Sequence, residues 1–222
     1  MQAVLLDLDH TLYSRAETYR AMAPHMKAFF SLPVDADTLA DLLFEADDRC
    51  FYDEDWQFVG SSGMHAYLAR FFEPPAPPAF RAYMNDQLPY FSRPYPFTHP
   101  VLSRLLAAGL PLGLVTNGKS SMQETKLRVL GIAPYFSHLL CAGDEGLLKP
   151  DPAVFLEAAE ALGAAPGETL FVGDNPLDDI SGAKAAGMAA AWVRRRGPYP
   201  AAFPPPDFEI ESIEELPALL GL

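Results

Sequence analysis

Ala3, Val4, Leu5 and Leu6 form an unbroken apolar run at the start of the chain. Four residues are too few for a helix and suit a strand buried on both faces, as strands of parallel sheets are. The run stops at Asp7, and Asp9 follows two positions later. On an extended chain positions i and i+2 share a face, so this spacing predicts two carboxylates crowding one spot. Ligands of open α/β sheets bind at the carboxyl ends of strands, where both acids lie. Crowded carboxylates repel, and a shared proton or a bound cation relieves them; a cation is expected here.

From residue 13 to residue 92 the pattern changes to helical spacing, as in Met22, Met26, Phe29 and Phe30, or Leu39, Leu42, Leu43 and Ala46, or Met64, Tyr67, Leu68, Phe71 and Phe72. Pro33 and the proline cluster at 74–78 punctuate it, and residues 52–63 read as a loop. An all-helical stretch this long between two strands predicts an inserted helical subdomain over 14–92. The core domain is then 1–13 with 93–222.

Alternation resumes at Arg93. Helices are predicted over 100–108, 120–130, 152–162 and 180–186, the first three closed by Gly109, Gly131 and Gly163. Strands are predicted over 112–115, 138–141, 169–172 and 188–193. Strand and helix in this rhythm imply right-handed crossovers and a parallel sheet of about five strands. The proline-rich stretch 197–206 reads as irregular, with a last helix over 213–220.

Composition narrows the function. A formal net charge of −13 over 222 residues argues against a nucleic-acid or anionic-membrane partner. No stretch approaches the roughly 20 apolar residues of a membrane span. A strand beginning almost at Met1 leaves no room for a signal peptide, so the expectation is a cytoplasmic protein. Cys50 and Cys141 show no metal-ligand spacing and read as free thiols.

Four polar clusters fall at the carboxyl ends of predicted strands: Asp7/Asp9/Thr11, Thr116/Asn117, Lys149, and Asp174/Asp178/Asp179. A parallel sheet brings those ends to one edge. Any one of these residues alone reads as an ordinary turn, loop or helix-terminus residue; four clusters at equivalent strand ends do not. Carboxylate oxygens with a lysine suit a hard cation and an anionic group held together.

DLDHTL at 7–12, LVTNG at 114–118, LLKPDPAVF at 147–155 and VGDNPLDDISGAKAAGM at 172–188 resemble, in order, the four motifs of the haloacid dehalogenase (HAD) superfamily. The helical stretch after the first motif is similar to that family's C1 cap. The resemblance implies an α/β fold with a Rossmann-like parallel sheet core, and a Mg²⁺-dependent phosphatase acting on a small phosphomonoester. Sugar phosphates, phosphoglycolate and nucleoside monophosphates are the substrate classes found among similar proteins.

It also implies roles. Asp7 is the expected nucleophile, forming an aspartyl-phosphate, and Asp9 the expected acid and then base. Thr116 with the Asn117 N–H would hold the transferring oxygens, Thr11 would assist, and Lys149 would neutralise charge. Mg²⁺ would take Asp7, the main-chain carbonyl of Asp9 and Asp174. Asp179 would support metal water or Lys149, with Asp178 the neighbouring alternative. His10 stands where the family often has glycine or another small or polar residue; it reads as a turn residue near the mouth of the site and is a candidate substrate contact.

Tyr13, Tyr52, Trp56, Phe58 and His65 are candidate pocket residues of the cap, Trp56 and Phe58 foremost. The run Arg194-Arg195-Arg196 reads as solvated surface. The rivals are a phosphomutase, a 2-haloacid dehalogenase, which attacks carbon and lacks the second acid, and a non-catalytic binding protein on the same fold. The chain is expected to be a monomer or homodimer.

Overall fold

The computed structural model describes residues 1–49, 60–144, 146–195 and 197–222. Cys50, Tyr52, Trp56, Phe58 and Arg196 lie outside the described residues, as does most of the loop expected over 52–63. In chain order the elements are β1 (Ala3–Leu6), α1 (Arg15–Phe30), α2 (Ala36–Arg49), α3 (Gly60–Leu68), α4 (Pro77–Phe91), α5 (Thr98–Ala107), β2 (Leu112–Thr116) and α6 (Ser120–Leu130). There follow β3 (His138–Cys141), α7 (Pro152–Ala161), β4 (Thr169–Gly173), α8 (Gly182–Ala185), β5 (Ala189–Val193), β6 (Phe208–Ile210) and α9 (Leu216–Leu219). They fall into two compact units, Met1–Ser14 with Pro94–Leu222, and Arg15–Arg93.

The first unit is an α/β layer structure. Its six strands are all parallel, in the order β3-β2-β1-β4-β5-β6. β1 is central, and the order reverses direction there, which makes its carboxyl end the topological switch point. Strand periodicity decides the packing. Val4, Leu6, Leu112, Leu114, Leu170 and Val172 face one side with α5, α6 and α9. Leu5, Val115, Phe171, Ala190 and Trp192 face the other with α7 and α8. All four residues of β1 are buried, each fully buried aliphatic side chain contributing about 1.5–3 kcal/mol.

The sheet departs from expectation at one edge. The sixth strand, β6, pairs with β5 through Ala191, Trp192 and Val193. Only Ile210 of its three residues is buried, so no apolar run marks it. The helix expected from 180 begins earlier, as a π-helical turn over Pro176–Ser181 whose cap is Asn175, with α8 continuing from it. An Asn at the cap and Pro at the first helical position are a start signal.

The described residues of the second unit form four helices around their own core. Tyr19, Met22 and Met26 of α1 pack with Leu39, Leu43 and Ala46 of α2, Met64 and Leu68 of α3, and Phe80, Tyr83 and Leu88 of α4. Residues 60–63, expected in a loop, are the first turn of α3; Gly60 and Met64 are buried there, and packing outweighs the weak helix propensity of Gly-Ser-Ser-Gly. Among the described residues no helix is long and apolar enough to cross a membrane.

Candidate active site

β1 delivers Asp7 to the switch point, where its N–H donates to the Val172 carbonyl at 2.9 Å. The Asp7 carboxylate is buried. Lys149 Nζ donates to Asp7 Oδ1 at 2.7 Å, to Asp179 Oδ1 at 2.7 Å and to the Val115 carbonyl at 3.1 Å. Thr11 Oγ1 lies 3.4 Å from Asp7 Oδ2. Burial raises the Asp7 pKa from its ordinary 3.8 to about 7, against the Lys149 ammonium and with help from the Asp179 and Asp9 charges. Burial alone would lower that of Lys149, but Asp179 and Asp7 outweigh it and hold the ammonium well above the ordinary lysine range.

Asp174 and Asp179 follow β4. Asp179 is almost fully enclosed. Its Oδ2 accepts from the Asn175 N–H at 2.9 Å, and burial, opposed by Lys149, raises its pKa to about 6. Gly173 makes room for it, because a Cβ there would lie 2.3 Å from Asp179 Oδ2. Between the two adjacent acids the geometry separates the roles: Asp179 reaches Lys149, whereas Asp178 accepts from Asn117 Nδ2 at 3.2 Å. Asn117 also exchanges hydrogen bonds with the Lys149 backbone, 2.8 Å to its N–H and 2.9 Å to its carbonyl. Its side chain therefore fastens the lysine loop in place.

One oxygen each of Asp7, Asp174 and Asp179 lie within 4.8 Å of one another. The pKa of Asp174 is also raised, chiefly by burial and against Arg195. Three buried carboxylates, each harder to ionise than usual, share the two cations Lys149 and Arg195 and still present an oxygen-only donor set, which fits a hard cation.

Asp9 lies beyond the end of the strand at Leu6, near enough to Asp7 that its charge helps raise the Asp7 pKa. Asp9 turns to a lysine of its own: Lys126 Nζ lies 2.7 Å from Oδ1 and 3.0 Å from Oδ2. The Tyr13 hydroxyl donates to Asp9 Oδ1, and Gln123 Nε2 bonds Asp9 Oδ2 at 3.3 Å and Thr116 Oγ1 at 2.5 Å. Tyr13, a candidate for a pocket wall, is fully buried instead. His65 is likewise engaged inside its own unit, with the Pro75 carbonyl at 2.9 Å and the Phe80 ring.

His10 has φ +63°, in the left-handed region where glycine is the default residue. Its carbonyl accepts from the Tyr95 hydroxyl at 3.4 Å. Trp56 and Phe58 lie outside the described residues.

The arginine run is not uniformly solvated surface. Arg194 pairs with Glu209 and Glu211, but Arg195 Nη1 lies 3.0 Å from Asp174 Oδ2, and Trp192 Nε1 donates to the Asp174 carbonyl at 2.8 Å. Arg195 follows the carboxyl end of β5 and so shares the edge of the other site residues. Lys126 and Gln123 were legible in principle. Gln123, Lys126, Leu127 and Leu130 are the buried residues of α6, and two polar side chains on such an apolar stripe call for a buried partner.

An open parallel sheet with a buried carboxylate–lysine cluster at its switch point defines a Rossmann-like α/β protein with an acid-rich site. A family model described as haloacid dehalogenase-like hydrolase matches residues 1–187, and the chain belongs to that family. A glyceraldehyde 3-phosphate phosphatase of Methanopyrus kandleri is 33% identical over 97% of this chain and 95% of the relative. A phosphoserine phosphatase of Thermus thermophilus is 45% identical over 46% of this chain and 41% of its own length. Among solved structures, a HAD phosphatase of Thermococcus onnurineus superposes with a TM-score of 0.66 at 28% identity, covering 100% of this chain and 98% of that one. The L-2-haloacid dehalogenase of Xanthobacter autotrophicus shares the fold, with a TM-score of 0.76 at 20% identity over 100% of this chain and 98% of that one.

Proposed function

We propose that this chain is a Mg²⁺-dependent phosphatase that hydrolyses small phosphate monoesters through an aspartyl-phosphate on Asp7. The observation that carries the reading is the pair of acids with separate lysines, Asp7 on Lys149 and Asp9 on Lys126. Family membership and a relative over nearly the whole chain that is named a glyceraldehyde 3-phosphate phosphatase support it.

In the first step an Asp7 oxygen attacks phosphorus, the bond to the leaving oxygen breaks, and Asp9 gives that oxygen a proton. In the second, water attacks phosphorus, its proton passes to Asp9, and Asp7 is restored. Thr116 and the Asn117 N–H hold the transferring oxygens, with Thr11 beside Asp7. Lys149 offsets the charge gathered by Asp7 and the phosphoryl group, in a buried place where such interactions are strong. Bound Mg²⁺, held by Asp7, Asp174 and the Asp9 main-chain carbonyl, would supply further positive charge at the phosphoryl oxygens. Asp179 holds Lys149 in position.

The second acid favours phosphate esters over haloacids, since an alkoxide leaves poorly without a proton whereas a halide needs none. A mutase would use the same residues but return the phosphoryl group to substrate. The helical unit over Arg15–Arg93 is the natural selector among esters, and Trp56 and Phe58 are its first candidates. A three-carbon phosphate is the first substrate to try, in view of the relatives' names. We assign the protein to the cytoplasm, as a monomer or homodimer acting on a metabolite, without nucleic acid or membrane.

The test is phosphate release from triose and sugar phosphates, phosphoglycolate and nucleoside monophosphates, with Mg²⁺ and with chelator. Release that needs Mg²⁺ and disappears in Asp7→Asn is expected. A folded, metal-loaded protein that releases no phosphate from any ester would overturn the reading in favour of the mutase or the binding protein.

A further inference from the structure

We propose that Lys126 and Gln123 of α6 are positioning residues for the acid–base step: they clamp the Asp9 carboxylate and tie it to Thr116, the hydroxyl assigned to hold the transferring group. The proposal rests on the phosphatase reading and goes beyond it, because neither residue belongs to the four motifs that define the site.

Lys126 is fully buried, and its ammonium lies on both oxygens of Asp9, at 2.7 and 3.0 Å, from 117 positions away in the chain. Enclosing an ammonium is costly unless its partner is well placed, and a leucine at this position would pack α6 at no such cost. The Tyr13 ring lies 5.6 Å from Lys126 Nζ, within reach of a cation–π contact, and the Tyr13 hydroxyl is on the same Asp9 oxygen.

Gln123 completes the clamp. One amide nitrogen serves two acceptors, Asp9 Oδ2 at 3.3 Å and Thr116 Oγ1 at 2.5 Å. A carboxylate only accepts, so the amide must present its NH₂ to Asp9, and the assignment of nitrogen and oxygen follows. The Gln123 oxygen then stands buried and without a partner among the described residues. A side chain seated at that cost is held for what its nitrogen does. Gly118 permits the seat, since a Cβ there would lie 2.4 Å from Gln123 Nε2.

Asp9 sits in a turn after the strand, with 22% of its side chain exposed. Left to itself such a carboxyl samples several rotamers. An acid that must reach the leaving oxygen and then the attacking water works only from a fixed place. The clamp supplies that place, and through Gln123 it sets the distance between acid and phosphoryl holder.

A clamp on Asp9 matters only when the leaving oxygen needs a proton. The experiment compares kcat/KM, which reports steps through leaving-group departure, for an alkyl ester (glycerol phosphate) and an aryl ester (p-nitrophenyl phosphate) with saturating Mg²⁺. Lys126→Met is expected to lower the alkyl value by about 10²-fold, the scale of general acid catalysis, and the aryl value by less than about threefold. In an Asp9→Asn background Lys126→Met should change neither further, a non-additivity expected of residues acting through one another. Gln123→Leu should show the same split at smaller amplitude, and it stands in if Lys126→Met melts early. Lys126→Arg, which keeps the charge, should recover part of the alkyl rate.

Equal losses on both esters, or full additivity with Asp9→Asn, would reduce the cluster to a structural salt bridge and overturn the proposal. Where glycerol phosphate is not hydrolysed, the best alkyl ester of the phosphate-release test takes its place; a wild-type protein that hydrolyses no ester at all would instead overturn the phosphatase reading, and this inference with it.

Discussion

Lys149 follows Asp7 by 142 positions, yet its ammonium lies 2.7 Å from the Asp7 carboxylate with neither group open to solvent. The same nitrogen holds Asp179 at the same distance. One cation thus spans two acids in a place where each would otherwise be costly to charge. Lys149→Met should lower turnover by about 10²–10³-fold, the usual effect of removing one preorganised electrostatic group. Steady-state phosphate release measures it, and a loss below about fivefold would remove Lys149 from the mechanism.

Stability should depend on pH in a direction fixed by the same acids. Asp7 and Asp179 titrate near 7 and 6 in the metal-free fold, against 3.8 for an ordinary aspartate. Between about pH 4 and 7 the folded chain therefore binds more protons than the unfolded one, and these two groups make unfolding easier as pH rises. Asp179→Asn removes one of them and relieves the other. Its melting temperature relative to wild type should climb from pH 4.5 to pH 7.5, both proteins stripped of metal. Added Mg²⁺, which needs ionised carboxylates, should stabilise wild type more at pH 7.5 than at pH 4.5. A difference constant across that range would contradict the burial of these acids.

Gly173→Ala tests the support beneath Asp179. The new Cβ would fall 2.3 Å from its Oδ2 and 2.7 Å from its Cβ, so the carboxyl must move and Lys149 loses a partner. Activity should fall at least tenfold, since a displacement of about 1 Å can cost a hundredfold in rate. Wild-type activity in a folded Gly173→Ala protein would show that the position of Asp179 does not matter.

The strand before Asp7 was legible because a strand buried on both faces reads as a continuous apolar run, and its carboxyl end locates the site by topology alone. Asp7, Thr116, Lys149, Asp174 and Asp179 are brought to one edge for that reason. β6 escaped because an edge strand of three residues, Phe208–Ile210, buries only one side chain. The role of Lys126 and Gln123 is not legible from helical spacing alone, because their partner Asp9 comes from a turn more than a hundred positions away. Arg195 was averaged into a run of like charges, whereas its place after β5 aims it at Asp174. The partnership of Asp9 could not be read from spacing, because it depends on where the strand stops.

Phosphoryl transfer to Asp7 is tested most directly in Asp9→Asn with p-nitrophenyl phosphate and Mg²⁺. Nitrophenolate leaves without an acid, and the hydrolysis that follows lacks its base, so the intermediate should accumulate. An acid quench after mixing should give a burst of about one nitrophenolate per active site, with one added phosphoryl group on the peptide that contains Asp7. Linear release with no burst and an unmodified Asp7 peptide would contradict the covalent route.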